Sequence, residues 1–152
     1  MTKITNKKTI IFDIDGTLAD IEHRRPLLDG DRPNWKQFNA EMGQDTINPG
    51  VVELYKSLWE INKYNIVLAT GRTEDFRKIT ENWLIWNEIP FSNIYMRKSG
   101  DFRSDDIVKQ EILDKLLAKG HEIAFTVDDR QQVVDMWRRN GITCLQCDVG
   151  DF

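Results

Sequence analysis

Apolar positions along this chain fall into two alternating rhythms. Thr9–Ile14 and Tyr64–Ala69 are short runs that are apolar almost throughout, the mark of strands buried on both faces. Between them, Val51, Leu54, Tyr55, Leu58 and Ile61 recur at helical spacing. Glu74–Asn87 repeats that pattern, with Phe76, Ile79, Trp83 and Trp86 on one stripe. Ser92–Met96 predicts a short third strand, Ile123–Val127 a fourth and Ile142–Gln146 a fifth. Ser104 stands where it can cap a helix, Asp105 and Asp106 occupy its favoured first turn, and Gly120 stops it. Gln131–Arg139 predicts the last helix. Strand–helix alternation of this kind argues for an α/β fold, a parallel sheet with helices on both faces.

One segment breaks the rhythm. Ala19–Gly50 separates the first strand from its return helix and carries the early Pro and Gly residues together with Trp35 and Phe38. A connection this long is a loop-rich insert or a small helical lid near the functional face. Trp35 and Phe38 either stack a base there or form the insert's own small core. Trp83, Trp86 and Trp137 read as packing residues on helical stripes.

Composition narrows the class. With 152 residues the chain is expected to be a single domain, 1–152, with insert 19–50. It is 40% hydrophobic and 30% charged with net charge −4, so no whole-surface basic field draws in nucleic acid, and any attraction must be local. Met1–Lys8 is polar and no apolar run reaches the length of a membrane span, so a cytoplasmic, intracellular protein is expected. Cys144 and Cys147 form a lone C-x-x-C on a strand, with no second pair to complete a zinc site, and read as packed strand residues.

The chemistry collects at strand ends. Asp13 and Asp15 follow strand one, Thr70, Gly71 and Arg72 follow strand two, and Asp128 and Asp129 follow strand four. Lys109 lies in the first two turns of the helix after strand three. In an open parallel sheet, ligands bind beyond these carboxyl ends. Four carboxylates meeting one ammonium repel each other unless a cation joins them, and an oxygen-rich site of this kind suits Mg²⁺. Asp13 is then the expected nucleophile toward phosphorus. Asp15 is the expected proton donor to the leaving oxygen and later base toward water. Gly16 allows the sharp turn between them, Thr70 and nearby N–H groups hold phosphoryl oxygens, and Lys109 balances their charge. The metal ligands expected are Asp13, Asp15, Asp128 and Asp129.

These four motifs, in this order, resemble those of the haloacid dehalogenase-like phosphatases. Asp at the second acidic position resembles the phosphatase branch. Within that superfamily, the stretches Val127–Arg139, Gly100–Lys109, Ile47-Asn48-Pro49 and the terminal Gly150-Asp151-Phe152 are similar to the 3′-phosphatase domain of bacteriophage polynucleotide kinase/3′-phosphatases. The resemblance implies a Rossmann-like sheet of order 3-2-1-4-5 and an Mg²⁺-dependent phosphatase acting on nucleic-acid 3′ ends. It also implies substrate-phosphate contacts from Arg24 and Arg72 and a supporting role for Asp105 beside Lys109, and Thr70, Gly71, Asp105 and Arg103 complete the expected phosphate-binding set. A separate kinase or ligase is the expected partner, and a phage-infected host an expected setting. The chain has no G-x-x-x-x-G-K-[ST] sequence, so P-loop kinase chemistry is not expected of it. Nucleoside monophosphates stay open as the alternative substrate. Arg24, Arg25, Arg72, Arg97, Lys98 and Arg103 either serve a second phosphate or merely offset the acidic site. A signalling receiver also uses acids, a Thr and a Lys, but places its acidic pair after strand one and the phosphoryl acceptor on strand three.

Overall fold

The strand leading to the first acidic motif, β1 (Thr9–Phe12), lies at the centre of a five-stranded parallel sheet in this computed structural model. The structure describes residues 6–150. Residues 1–5 of the polar N-terminal segment, and residues 151 and 152 of the terminal match, lie outside it. After β1 come a short strand β2 (Ala19–Asp20), helix α1 (Trp35–Ala40) and a second short strand β3 (Thr46–Ile47). Helix α2 (Pro49–Ile61) then leads to β4 (Asn65–Thr73), α3 (Arg77–Trp86) and β5 (Asn93–Arg97). The chain continues through α4 (Asp105–Ala118), β6 (Ile123–Arg130), α5 (Gln131–Arg139) and β7 (Cys144–Gly150).

The sheet runs β5-β4-β1-β6-β7, with each neighbouring pair parallel. Leaving out β2 and β3, that is the order 3-2-1-4-5. The pleat divides the apolar residues of the inner strands between two cores. Ile10 and Phe12 of β1 join Ile66 and Leu68 of β4 against Tyr55, Trp83 and Leu84 on one face. Ile11, Val67 and Ala69 face the other way, onto Val108, Ile112, Leu116, Val133 and Trp137. Continuous apolar runs are required because both faces of the inner strands are covered.

Differences from the sequence expectation concentrate at strand ends and in the insert. Strands β4 and β6 run on to Thr73 and Arg130, so that Thr70–Arg72 and Asp128–Asp129 lie in their last turns of pleat rather than beyond them. In both, the pairing register slips there, between Thr70 and Thr73 and between Asp128 and Arg130. Irregularities of this sort re-aim side chains beside functional sites. The insert combines the two expectations: α1 and two 3₁₀ turns are closed by an antiparallel β2–β3 ribbon that pairs Ala19 with Ile47. Asn48 fastens its end, donating from Nδ2 to the Thr17 carbonyl at 2.9 Å.

Ser104 occupies the N-cap of α4 but its side chain makes no capping bond. Trp83 and Trp137 are core, as their stripes predict, but Trp86 is 86% exposed at the end of α3, where the stripe has run past the sheet. Among the described residues, no helix is long and apolar enough to cross a membrane.

Candidate active site

Just beyond β1, the chain is held by the Asp13 N–H donating to the Val127 carbonyl at 3.0 Å. That bond brings Asp13 beside the end of β6. Asp13, Asp128 and Asp129 are all buried, and each offers a carboxylate oxygen within 4.8 Å of the others. Lys109, buried on α4, bridges two of them, donating from Nζ to Asp13 Oδ1 and Asp128 Oδ2 at 2.8 Å each. The other Asp13 oxygen, Oδ2, accepts from the Thr17 hydroxyl at 3.0 Å. Asp128 is fixed further by the Asp129 N–H on Oδ1 (2.9 Å) and Trp137 Nε1–H on Oδ2 (3.3 Å).

Between β1 and its return, Gly16 takes φ +79° and packs so closely that a Cβ would stand 2.1 Å from Asp129 Oδ2. Only glycine satisfies both conditions. The turn therefore lets Asp129 approach the backbone of the first motif.

Electrostatics follow from burial and mutual repulsion. Desolvation and the neighbouring Asp128 raise Asp13 well above the ordinary carboxylate range, against the pull of Lys109. The same causes lift Asp129 to about 6. Lys109 loses solvent too, but Asp128 and Asp13 outweigh that and raise it, so it is firmly charged. Three acids with one ammonium leave a surplus of negative charge in a site with little water. An all-oxygen donor set carrying that surplus fits a hard divalent cation such as Mg²⁺. The residues that would hold it are Asp13, Asp128 and Asp129.

Asp15 does not belong to that set. Its side chain turns to Arg24, whose Nη2 lies 2.7 Å from Oδ1, and to Arg72, whose Nη2 lies 2.6 Å from the same oxygen. Burial alone would raise its pKa, but Arg72 and then Arg24 bring it down to about 2. Two guanidiniums draw this expected metal ligand away from the acidic triad. Arg24 and Arg72, the expected phosphate contacts, are both buried and paired with Asp15 and Asp45.

Asp105 does not pair with Lys109 by hydrogen bonding. It accepts from Arg97 Nη2 and, at 2.8 Å, from Arg130 Nη1, and so acts on Lys109 only through its field. Gly71 lets it come close, since a Cβ there would stand 2.5 Å from Asp105 Oδ1. Arg103 lies on the exposed surface, forked onto Asp101 and Glu111, and not at the acidic centre. Thr70 is buried with its hydroxyl accepting from the Arg72 N–H at 3.1 Å. Of the proposed basic cluster, Arg24, Arg25, Arg72, Arg97 and Arg103 each carry acidic partners, which favours charge balance over a second phosphate.

Asp45 and the Trp137 indole N–H join the site's network without a signal in the sequence. Asp45 sits in the insert with no motif around it, and Trp137 reads as apolar in any pattern. Cys144 is packed as expected. Cys147 instead turns its sulfur to the Gly16 carbonyl and Thr17 Oγ1, each at 3.7 Å, where desolvation pushes the thiol up to about 12.

A parallel sheet of this order, with Asp13 after its central strand, a buried lysine from the helix beyond β5 and an acidic pair on the neighbouring strand, defines a haloacid dehalogenase-type phosphatase. The chain is accordingly a phosphoric monoester hydrolase. It belongs to the family of polynucleotide kinase PNKP phosphatase domains, whose sequence profile matches residues 7–152. Among solved structures, it is similar to a chain in the structure of the Pnkp1/Rnl/Hen1 RNA repair complex (32% identity, TM-score 0.82, 100% of this chain and 46% of that one). A second structure of the Pnkp1/Rnl/Hen1 complex matches likewise (33% identity, TM-score 0.77, 100% and 50%). The chain thus spans about half the length of the chains it matches there. A putative phosphatase from Clostridium difficile shares the fold (19% identity, TM-score 0.67, 93% and 85%).

Proposed function

We propose that this protein removes a phosphate from the 3′ end of a nucleic acid during repair, as an Mg²⁺-dependent phosphatase with Asp13 as nucleophile. One observation carries the chemistry. Asp13 is locked between Lys109 and Thr17, with Asp128 and Asp129 beside it, at the end of the central strand. Family membership supplies the phosphatase class, and likeness to chains of an RNA repair complex favours nucleic acid over a mononucleotide as substrate.

In this reading an oxygen of Asp13 attacks phosphorus while the bond to the 3′ oxygen breaks, forming an aspartyl-phosphate. Asp15, which Arg72 and Arg24 hold ionised before substrate binds, would take up a proton as the phosphate dianion settles beside it, give it to the departing alkoxide, and then take one from the water that hydrolyses the intermediate. Lys109 counters the rise that burial and Asp128 impose on Asp13 and offsets the charge of the incoming phosphate. Bound Mg²⁺ would add electrostatic stabilisation of the phosphoryl oxygens. A separate kinase or ligase would be its partner in the repair.

The test is a panel of 3′- and 5′-phosphorylated oligonucleotides and mononucleotides, DNA and RNA, with and without Mg²⁺. Metal-dependent release from the 3′-phosphorylated oligonucleotide alone supports the reading. Equal release from both ends, or faster release from mononucleotides, overturns it. Asp13→Asn is expected to lower turnover by at least about 10³-fold with unchanged circular dichroism; substantial residual activity would move the nucleophile elsewhere.

A further inference from the structure

Strand β7 contributes no residue to the acidic triad, yet it packs directly against the main chain of Asp129. Its register with β6 runs from Asp128 opposite Gln146 to Arg130 opposite Gly150, so Asp129 alone faces residues 147–149. That surplus bulges β7 at the level of the site. On one side of the bulge, Gln146 Nε2 donates to the Asp129 carbonyl at 3.1 Å. On the other, Gly150 is buried, and a Cβ there would stand 2.2 Å from the same carbonyl oxygen and 2.7 Å from Arg130 Cα. The bulge itself sets Cys147 against the Gly16–Thr17 turn, through the sulfur contacts described above.

Asp129 is thereby fitted at both ends: Gly16 makes room for its carboxylate and Gly150 for its carbonyl. Unlike Gly16, Gly150 does not take positive φ, so space and not conformation calls for glycine there. The atoms that a methyl would strike belong to the main chain, which cannot swing aside as a flexible side chain can. Relief has to come from a shift of the Asp129–Arg130 peptide, and the Asp129 carboxylate moves with it. A displacement on the order of 1 Å matters at a site whose donors must all reach one small cation. We propose that β7 is a positioning strand for the metal site: Gly150 and Gln146 fix the main chain of Asp129, and so hold its carboxylate where it would bind Mg²⁺ with Asp13 and Asp128. This rests on the reading given above of those three acids as the holders of Mg²⁺.

Cation binding, measured apart from turnover, tests it. Gly150→Ala and Gln146→Leu are compared with the unmodified protein by Mg²⁺ titration calorimetry and by melting temperature in metal-free buffer. Gly150→Ala is expected to raise the Mg²⁺ dissociation constant at least about 10-fold. Gln146→Leu, which removes the bond to the Asp129 carbonyl at similar bulk, is expected to raise it about 3-fold and to change the metal-free melting temperature by less than about 2 °C. A glycine needed only for packing would instead lower the metal-free melting temperature and leave the dissociation constant within about twofold of the parent. That result for Gly150→Ala overturns the proposal. If Gly150→Ala does not fold by circular dichroism, Gln146→Leu decides, and an unchanged dissociation constant in it overturns the proposal. Absence of binding by the unmodified protein would sink the metal reading, and the proposal with it. Neither measurement uses a nucleic acid, so failure of the 3′-end reading is detected separately and leaves this result untouched.

Discussion

Lys109 shows how one residue can carry a site. It is the cation bonded to both Asp13 and Asp128, and all three are buried. Removing one partner from such a cluster leaves uncompensated charge, a cost of about 3–5 kcal/mol. Lys109→Met is expected to lower the melting temperature by roughly 10 °C and turnover by at least about 100-fold. Unchanged melting in metal-free buffer at pH 7.5 would refute the electrostatic account. Gly16 is the second such residue. An alanine there meets Asp129 Oδ2 at 2.1 Å and must hold φ near +79°. Gly16→Ala is expected to destabilise by about 2 kcal/mol in urea and to lower activity more than 10-fold, since Asp129 has to move. Activity within twofold of the parent would show that this close approach does not matter.

At the level of elements, three helices end in the same way. Helices α4 and α5 close with Gly120 and Gly141 at positive φ, their N–H groups returning to the Leu117 and Arg138 carbonyls. Helix α3 closes with the same pair of bonds, but the left-handed position is Glu88, φ +56°, whose N–H donates to the Ile85 carbonyl. A side chain there costs about 1 kcal/mol relative to glycine. Glu88→Gly is therefore expected to stabilise the protein by up to about 1 kcal/mol in equilibrium denaturation, with activity unchanged. A loss of stability would mean that Glu88 makes a compensating interaction. Element identities were legible in the sequence because continuous apolar runs and helical stripes survive folding unchanged. Gln131–Arg139 matches α5 residue for residue. Strand ends were less legible: β4 and β6 gain residues through pairing with β5 and β7, an effect no single stretch of sequence carries.

For the whole molecule, the acidic centre sets how stability responds to pH and metal. Asp13 and Asp129 have raised pKa values, so the folded state takes up protons that the unfolded chain does not. Stability is therefore gained as pH falls through about 6, and the gain is complete below the unfolded value of about 4. Asp15 has the opposite sign: its contribution of about 2 kcal/mol is present above about pH 4 and is lost as pH falls through about 2. His121, lowered by burial and Lys119, opposes the first effect weakly. Without metal, melting temperature is expected to rise between pH 7.5 and 5 and to collapse toward pH 2. Mg²⁺ at about 100 times its dissociation constant is expected to add about 2.7 kcal/mol at pH 7.5, a shift of roughly 5–10 °C. The shift should shrink at pH 5, where protons compete for the same oxygens. Calorimetry across this range checks both, and a metal-insensitive melting curve at pH 7.5 would count against the site.

The chain's pattern alone determined the alternation of buried strands and helices, and hence that Asp13, Lys109 and Asp128 would meet at one edge of a parallel sheet. Backbone periodicity and the position of acids at strand ends are local properties, readable in order along the chain. Tertiary structure decided what each charge faces. Asp13 and Asp15 stand two residues apart, yet one joins a triad of acids and the other is drawn off by Arg24 and Arg72. Asp45, unmarked in its own stretch, became the counterweight to both arginines. Pairing among buried charges depends on which side chains share a low-dielectric space, and that is settled only when the insert closes on the sheet.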